Sequence, residues 1–218
     1  MSRIHHDRLV SLMKVYFVTD RHLFELETVE EACRSMLEAG VRTIQLRDKE
    51  ATAEDLLASA LRLRSLCHDY GALFIINDDP ATAARAGADG VHVGQEELSV
   101  KDARTMVGPE ALIGVSTHSI EQARQAVLDG ANYLGVGPVF PSGTKHFDRF
   151  PGVELLRAVT AEIRLPVFAI GGIGLNNLAE VLQTGIRRIA VSGAVLNAPD
   201  PAATARGLAQ RLNVAQCA

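Results

Sequence analysis

The chain has 218 residues and a formal net charge of −4 at pH 7, with 47% hydrophobic and 22% charged residues. This composition is typical of a globular domain with a sizeable core, and it excludes a disordered tail, a collagen and a coiled coil. A mildly acidic chain has no overall attraction to nucleic acid or to an anionic membrane, so we expect neither as a partner.

The three cysteines, Cys33, Cys67 and Cys217, lack the CxxC spacing of a zinc knuckle. Their odd, low number predicts free thiols in a reducing compartment rather than a disulfide framework. The apolar stretch at residues 9–18 is interrupted by Lys14, is too short to span a bilayer, and precedes no small-residue cleavage site. We therefore expect a cytoplasmic protein.

Eight short apolar runs, mostly of β-branched, aromatic and Leu residues, predict buried strands. They cover residues 15–19, 43–46, 73–76, 90–93, 112–115, 133–136, 167–170 and 188–191. Apolar residues three and four apart predict helices over residues 29–39, 53–70, 81–86, 100–106, 120–128, 153–163, 175–184 and 202–212. Glycines that suit the left-handed end of a helix follow five of them: Gly40, Gly71, Gly87, Gly130 and Gly185.

Eight consecutive β-α units predict an α/β fold, a single-domain (β/α)8 TIM barrel over residues 15–214. Residues 1–14 form an N-terminal extension, which we expect to be a short helix closing the N-terminal end of the barrel. An open doubly wound sheet is the main alternative, although no GxGxxG motif follows the first strand.

In such a barrel, the functional residues follow the carboxyl ends of the strands. After the second strand, Gln45, Arg47 and Lys49 alternate onto one side and are predicted to face the barrel mouth together. Two cations and an amide suit a polyanion such as a diphosphate. The alternative is a charged surface loop in which Arg47 pairs with a neighbouring acid.

Acidic residues follow the third and fourth strands: Asp78 and Asp79, then Glu96 and Glu97. Because these strands are neighbours in a barrel, an Asp and a Glu beside a diphosphate predict a Mg²⁺ ion that bridges protein and phosphate oxygens. A compatible alternative is that Asp78 or Asp79 caps the helix that starts at Pro80, with the glutamates in a solvated turn.

After the fifth strand, Ser116 stands near His118, a pair that suggests a hydrolase. The segment lacks the glycine-flanked nucleophile elbow, and no third group is identified to orient His118, so triad catalysis is disfavoured. Ser119 is a natural N-cap for the next helix.

The longest loop, at residues 137–152, is rich in Gly and Pro and predicts a lid, with a plain surface excursion as the alternative. Glycine-rich turns follow strands seven and eight, at residues 171–174 and 192–194, and predict a phosphate site built from backbone N–H groups. These glycines would otherwise be simple tight turns. One phosphate site and one cationic site suggest two substrates, a monophosphate and a diphosphate.

Seven ordered motifs between Tyr16 and Ile173 resemble the thiamine phosphate synthase family, and the match runs from about Tyr16 to Leu212. They are YFVTD from Tyr16, QLRDK from Gln45, IND from Ile76, ADGVHVGQE from Ala88, GVSTHS from Gly114, GPVFP from Gly137 with Thr144 and Lys145, and AIGGI from Ala169. The resemblance implies a Mg²⁺-dependent transferase that joins hydroxymethylpyrimidine diphosphate to hydroxyethylthiazole phosphate, giving thiamine phosphate and diphosphate.

The resemblance also implies roles for individual residues. It assigns the pyrimidine diphosphate to Gln45, Arg47, Lys49, Asn77, Ser116 and Lys145, of which Arg47, Lys49, Lys145 and Ser116 would be catalytic. It assigns the thiazole phosphate to Ser142, Gly143, Thr144, Gly172, Ser192 and Gly193, and Mg²⁺ to Asp78 and Glu97. Two positions depart from the family pattern: Glu97 replaces the usual Asp, and Ser192-Gly193 matches the usual Val-Ser pair.

The implied reaction is a dissociative substitution, in which an aminopyrimidine stabilises a methylene cation as diphosphate leaves. It needs charge neutralisation and a dry pocket, not a side-chain nucleophile. A thiazole tautomerase-like paralogue, a non-catalytic thiamine phosphate binder and another phosphate-binding barrel isomerase are the alternatives. Pro138, where tautomerases commonly have His, favours the synthase over the tautomerase. The sequence is compatible with a homo-oligomer.

Overall fold

The computed structural model describes residues 13–23, 28–141 and 150–214 of the chain. Eight parallel strands form a closed barrel in sequence order. The first strand pairs with the last as well as with the second. This closure confirms the predicted (β/α)8 barrel, and it excludes the open doubly wound sheet, which would leave two edge strands.

The predicted strands are all present, with ends that shift by at most two residues. They are β1 (Val15–Val18), β2 (Thr43–Leu46), β3 (Leu73–Asn77), β4 (Gly90–Val93), β5 (Leu112–Thr117), β6 (Tyr133–Val136), β7 (Val167–Ile170) and β8 (Ile189–Val191).

The eight predicted helices are also present, with ends that shift by at most three residues. Together with one unpredicted short helix, they are α1 (Val29–Glu38), α2 (Ala53–Asp69), α3 (Pro80–Ala86), α4 (Val100–Val107), α5 (Ile120–Leu128), α6 (Gly152–Glu162), α7 (Leu178–Gln183), α8 (Gly193–Leu196) and α9 (Pro201–Val214). The four-residue α8 and a 3₁₀ helix, Arg21–Leu23, were not predicted, because a single turn carries no apolar periodicity.

Strand side chains alternate between the barrel interior and the surrounding helices, which produces two apolar clusters. The larger cluster lies between strands and helices. The smaller one lies inside the barrel and consists of Met13, Tyr16, Val18, Leu73, Ile75, Leu112, Tyr133, Phe168 and Ala190. The interior positions nearer the carboxyl ends of the strands are therefore left for polar residues.

Both ends of the helices follow the predicted local signals. Ser119 accepts a hydrogen bond from Gln122 N–H at the start of α5, and Asp79 does the same for Thr82 N–H at the start of α3. The five predicted C-terminal glycines all have positive φ, between 62° and 97°. Capping by Asp79 leaves the neighbouring Asp78 available for another role.

Cys33 and Cys67 are fully buried free thiols packed in the larger cluster. Burial raises the pKa of the Cys67 thiol to about 12 and that of Cys33 well above its ordinary value. Cys217 and residues 1–12, the predicted N-terminal helix among them, lie outside the described residues. Over the described ranges, no helix has the length and apolarity needed to cross a bilayer.

We expect the free energy of unfolding to fall as pH rises from about 8.5 towards 10. Unfolded cysteines ionise near pH 8.5, whereas the folded protein keeps Cys67 protonated up to about pH 12. The folded state therefore binds more protons in this range, and each thiol contributes a slope of up to about 1.4 kcal/mol per pH unit. Urea denaturation at several pH values measures how the free energy of unfolding changes with pH. The Cys33→Ala/Cys67→Ala variant should show a smaller slope, and an equal slope would contradict the explanation.

Candidate functional site

A cavity of about 480 Å³ opens at the carboxyl ends of the strands. Every strand contributes to its wall, either directly or through the residues that follow it. Seven of the predicted site residues line it: Gln45, Arg47, Asn77, Ser116, Gly172, Ser192 and Gly193. Four others, Ser142, Gly143, Thr144 and Lys145, lie outside the described residues, as does half of the predicted lid.

The floor of the cavity is aromatic. Tyr16, Tyr133 and Phe168 contact one another edge to face, with ring centroids 5.3 to 6.0 Å apart. A Cβ atom at Gly114 would overlap the rings of Tyr133 and His92, so glycine is required for these rings to pack against β5. Burial raises the pKa of both tyrosine hydroxyls, which therefore stay protonated near neutral pH.

A chain of polar groups crosses this floor from β2 to β5. Gln45 Nε2 donates to Tyr16 Oη (2.6 Å), and Tyr16 Oη lies 2.9 Å from Tyr133 Oη. His92 lies 3.2 Å from Tyr133 Oη through Nδ1 and 2.9 Å from Ser116 Oγ through Nε2. The histidine that contacts Ser116 is thus His92, whereas His118 Nδ1 lies 2.5 Å from Gly137 O.

Arg47 is held in the wall by residues that follow β1. Its Nη1 atom lies 3.2 Å from Asp20 Oδ2. Its backbone N–H donates to Thr19 Oγ1 (2.8 Å), and Thr19 Oγ1 donates to Arg47 O (3.2 Å). The acid partner considered from the sequence therefore exists, but the pair lies in the cavity wall, where Asp20 is only 5% exposed.

Lys49 lies beside the cavity, between the two predicted metal ligands. Its Nζ atom is 3.2 Å from Asp78 Oδ2 and 3.7 Å from Glu97 Oε1. Gln45 and Arg47 line the cavity and Lys49 does not, so the predicted alternation continues one residue past the end of β2 at Leu46 but does not extend to Lys49. One ammonium group contacts both carboxylates, so the two side chains can reach a single cation.

Asp78 has a positive φ of 61°, a conformation that Asp tolerates better than most residues. Its N–H donates to His92 O (2.8 Å), and its Oδ2 accepts a bond from Asn77 Nδ2 (2.7 Å). Because the backbone turns here, Asp78 faces Lys49 and Asp79 caps α3. The two predicted roles of this acidic pair are therefore divided between adjacent residues.

The side chains of Asp78 and Glu97 fit Mg²⁺ bound together with a substrate phosphate. Mg²⁺ is commonly held by one or two carboxylates, with phosphate and water oxygens completing its six ligands. Asp78 and Glu97 could supply the two carboxylates. Within the described ranges there is no group of three or more His, Cys, Asp or Glu residues that could hold a metal without a substrate.

The opposite side of the cavity is formed by the turns after β7 and β8. Gly171 and Gly172 have φ values of 103° and 60°, and a Cβ atom at Gly172 would overlap the carbonyl oxygen of Pro141. Asn177 holds this turn by donating to Gly172 O (2.9 Å) and accepting from Gly174 N–H (2.8 Å). The glycines are thus required by close backbone approach.

Ser192 Oγ is buried and has no hydrogen-bond partner among the described residues. It stands directly before α8 and lines the cavity with Gly193, yet it does not cap the helix. A buried hydroxyl of this kind costs stability unless something bonds to it. A phosphate oxygen in the cavity would satisfy it.

Sequence reasoning overlooked Asp20, Tyr16, Tyr133 and His92 as site residues. Asp20 had a usable signal, because it follows a predicted strand as the recognised site residues do. The other three stand inside strands, where a single sequence does not distinguish a polar cavity floor from ordinary packing.

Comparisons of the sequence and of the structure with known proteins agree on one family. A family model described as thiamine monophosphate synthase matches residues 15–195. A thiamine-phosphate synthase of Gloeobacter violaceus is 47% identical over 92% of this chain and 58% of its own length. One of Desulfitobacterium hafniense is 40% identical over 89% of this chain and 94% of its own length. The solved thiamine phosphate pyrophosphorylase from Pyrococcus furiosus has a TM-score of 0.87 and 37% identity, covering 95% of this chain and 98% of that chain.

The length of these relatives varies. The chain spans about half of several curated relatives that it matches, between 44% and 58%. It spans nearly all of others, as the comparisons with the Desulfitobacterium and Pyrococcus proteins illustrate.

We expect Arg47→Ala to destabilise the fold by about 3 kcal/mol, because it leaves the buried Asp20 carboxylate without its cation. Removing that carboxylate as well, in Arg47→Ala/Asp20→Asn, should restore part of the loss. Urea denaturation of both variants measures the effect. If the double variant is less stable than Arg47→Ala, the pair does not behave as a buried ion pair.

Proposed function

Because the chain belongs to the thiamine monophosphate synthase family, we propose that it condenses hydroxymethylpyrimidine diphosphate with hydroxyethylthiazole phosphate. The products are thiamine phosphate and diphosphate. The observation that carries this proposal is one cavity with two distinct groups of residues at its mouth. Cationic and acidic residues lie on one side, and glycine turns with an unsatisfied serine hydroxyl lie on the other.

The pyrimidine diphosphate would occupy the side formed by β2 to β5. Gln45, Arg47 and Asn77 line the cavity there, and Lys49 lies beside it. Arg47 offers a planar donor group for phosphate oxygens, which Asp20 orients in advance, while Thr19 holds the Arg47 backbone. Lys145, from the loop outside the described residues, is the third cation of the proposal, and Ser116 would contact the pyrimidine.

The thiazole phosphate would occupy the opposite side. Gly172, Ser192 and Gly193 line the cavity there. The Ser192 hydroxyl and backbone N–H groups at the turn would bind the phosphate oxygens. Ser142, Gly143 and Thr144 are proposed to cover the same substrate from the loop. This arrangement would put the two substrates on opposite walls of a shared cavity.

The proposed mechanism is a dissociative substitution. Arg47, Lys49 and Lys145 would neutralise the charge on the departing diphosphate, and the aromatic floor would keep water from the methylene cation. Asp78 and Glu97 would hold Mg²⁺, which supplies Lewis-acid neutralisation of the diphosphate when bound. The cavity would align the thiazole nitrogen with the reacting carbon, so the proposed reaction needs no side-chain nucleophile.

A reducing, cytoplasmic location is part of the proposal. The two buried cysteines are free thiols, which suits a reducing compartment.

We expect the purified protein to form thiamine phosphate when it is incubated with both phosphorylated substrates and Mg²⁺. Chromatography of the product measures the reaction. Binding of thiamine phosphate in calorimetry, without turnover of the two substrates, would contradict the proposal and identify a non-catalytic binder.

We expect Lys145→Ala to lower kcat by about 10² to 10³, because one electrostatic contact to the leaving group is lost. Lys101→Ala is a matched control, since Lys101 is exposed on α4. A near-normal kcat for Lys145→Ala at saturating substrates would exclude the assigned role.

We expect EDTA to abolish product formation and Mg²⁺ to restore it. Asp78→Asn and Glu97→Gln should each raise the Mg²⁺ concentration needed for half-maximal rate, because each removes a negative ligand. Glu96→Gln controls for charge at an adjacent exposed glutamate. An unchanged Mg²⁺ requirement in Glu97→Gln would show that Glu97 is not a ligand.

A further inference from the structure

The polar chain across the cavity floor consists of Gln45, Tyr16, Tyr133, His92 and Ser116. The first four side chains belong to residues that are at most 8% exposed. Buried hydroxyls and ring nitrogens lose stability if their protons have no acceptor. Each proton in the chain therefore has to be assigned to a neighbour.

The direction of the first link determines the direction of the others. An amide nitrogen can only donate, so Tyr16 Oη accepts from Gln45 Nε2 and must place its own proton elsewhere. The other oxygen within hydrogen-bond distance of it, among the described residues, is Tyr133 Oη. Tyr16 therefore donates to Tyr133.

The same reasoning continues to Ser116. Tyr133 donates its proton to His92 Nδ1, which must then be unprotonated. A neutral imidazole with an unprotonated Nδ1 carries its proton on Nε2, and Nε2 donates to Ser116 Oγ. The Ser116 oxygen is thus already an acceptor, and its own proton is left for the cavity that the residue lines.

The opposite direction leaves a buried proton without an acceptor. If His92 donated to Tyr133 and Tyr133 donated to Tyr16, then Tyr16 would accept two bonds and its own proton would have no acceptor within the described residues. The orientation of the Gln45 amide, with Nε2 toward Tyr16 Oη, therefore sets the direction of every hydrogen bond from Gln45 to Ser116.

We propose that Gln45, Tyr16, Tyr133 and His92 are positioning residues that turn the Ser116 hydroxyl into a hydrogen-bond donor toward the substrate. This inference rests on the proposed function. A pyrimidine substrate would have to offer a hydrogen-bond acceptor to Ser116, and that acceptor is a ring nitrogen and not the amino group. The same polarity prevents His92 from accepting the Ser116 proton, so this Ser-His pair does not generate a serine nucleophile.

The position of the His92 proton is tested directly by NMR of the ¹⁵N-histidine-labelled protein at pH 8, with the His92 signals assigned from a His92→Gln variant. We expect the proton on Nε2 and none on Nδ1. Gln45→Glu replaces a donor with an acceptor and should move the proton to Nδ1, whereas Gln210→Glu, at an exposed position of α9, should not. A wild-type proton on Nδ1, or an unchanged proton position in Gln45→Glu, would overturn the proposal.

A second measurement uses Tyr133→Phe, in case Gln45→Glu does not fold. Removing the Tyr133 hydroxyl takes away the donor to Nδ1, so the His92 signals should show a mixture of the two tautomers. Signals identical to those of the wild-type protein would mean that Tyr133 does not set the tautomer, and would overturn the proposed chain.

Substrate recognition provides an independent readout. We expect one of two deaza-pyrimidine diphosphates, each with C–H in place of one ring nitrogen, to bind the wild-type protein at least about tenfold more weakly than the parent compound. The Ser116→Ala variant should bind the parent compound and that weaker deaza compound equally well. Equal binding of all three compounds by the wild-type protein, or discrimination that persists in Ser116→Ala, would contradict the donor role.

These outcomes separate the two proposals. If the protein forms thiamine phosphate but has its His92 proton on Nδ1, the proposed function is supported and the proposed direction of the hydrogen bonds is contradicted. If the protein has the expected His92 tautomer but forms no thiamine phosphate, the direction of the hydrogen bonds is supported and the proposed function is contradicted.

Discussion

The pairing of β1 with β8 is the interaction on which the rest of the structure depends. It closes the sheet, so all eight parallel strands end at one mouth and residues far apart in the chain share one cavity. Arg47 meets Asp20 because β1 and β2 are neighbours, and Asp78 approaches Glu97 because β3 and β4 are. The composition of the site is therefore a consequence of strand order.

The barrel interior combines large and small side chains in a way that creates the cavity floor. Tyr16, Tyr133 and His92 extend into the centre, and glycine at positions 114 and 135 gives the histidine ring room between β5 and β6. The rings themselves are buried, while their polar atoms bond to one another and to Ser116 Oγ. The floor is therefore mainly apolar, with one connected line of polar atoms that ends at Ser116.

Charge is distributed unevenly over a chain with net charge −4. Arg47 and Lys49, the cations at the mouth within the described ranges, each contact a carboxylate. For Arg47 the partner is buried, so its guanidinium is held in a fixed orientation, which lowers the entropy lost when an anion binds. For Lys49 the partners are the carboxylates of Asp78 and Glu97, so positive and negative side chains lie side by side.

The sequence by itself determined the order of the elements and the barrel, because short continuous apolar runs alternate eight times with segments whose apolar residues recur about every 3.6 residues. It also located Gln45, Arg47, Asn77, Ser116 and the glycine turns, since position after a strand identifies residues at the mouth. Only the tertiary structure decided that Asp79 caps a helix while Asp78 faces Lys49, that Asp20 holds Arg47, and that His92 rather than His118 contacts Ser116. Each of these contacts except the cap joins different strands or the loops that follow them. The distance between such residues is set by packing across the barrel, and local sequence patterns carry no information about it.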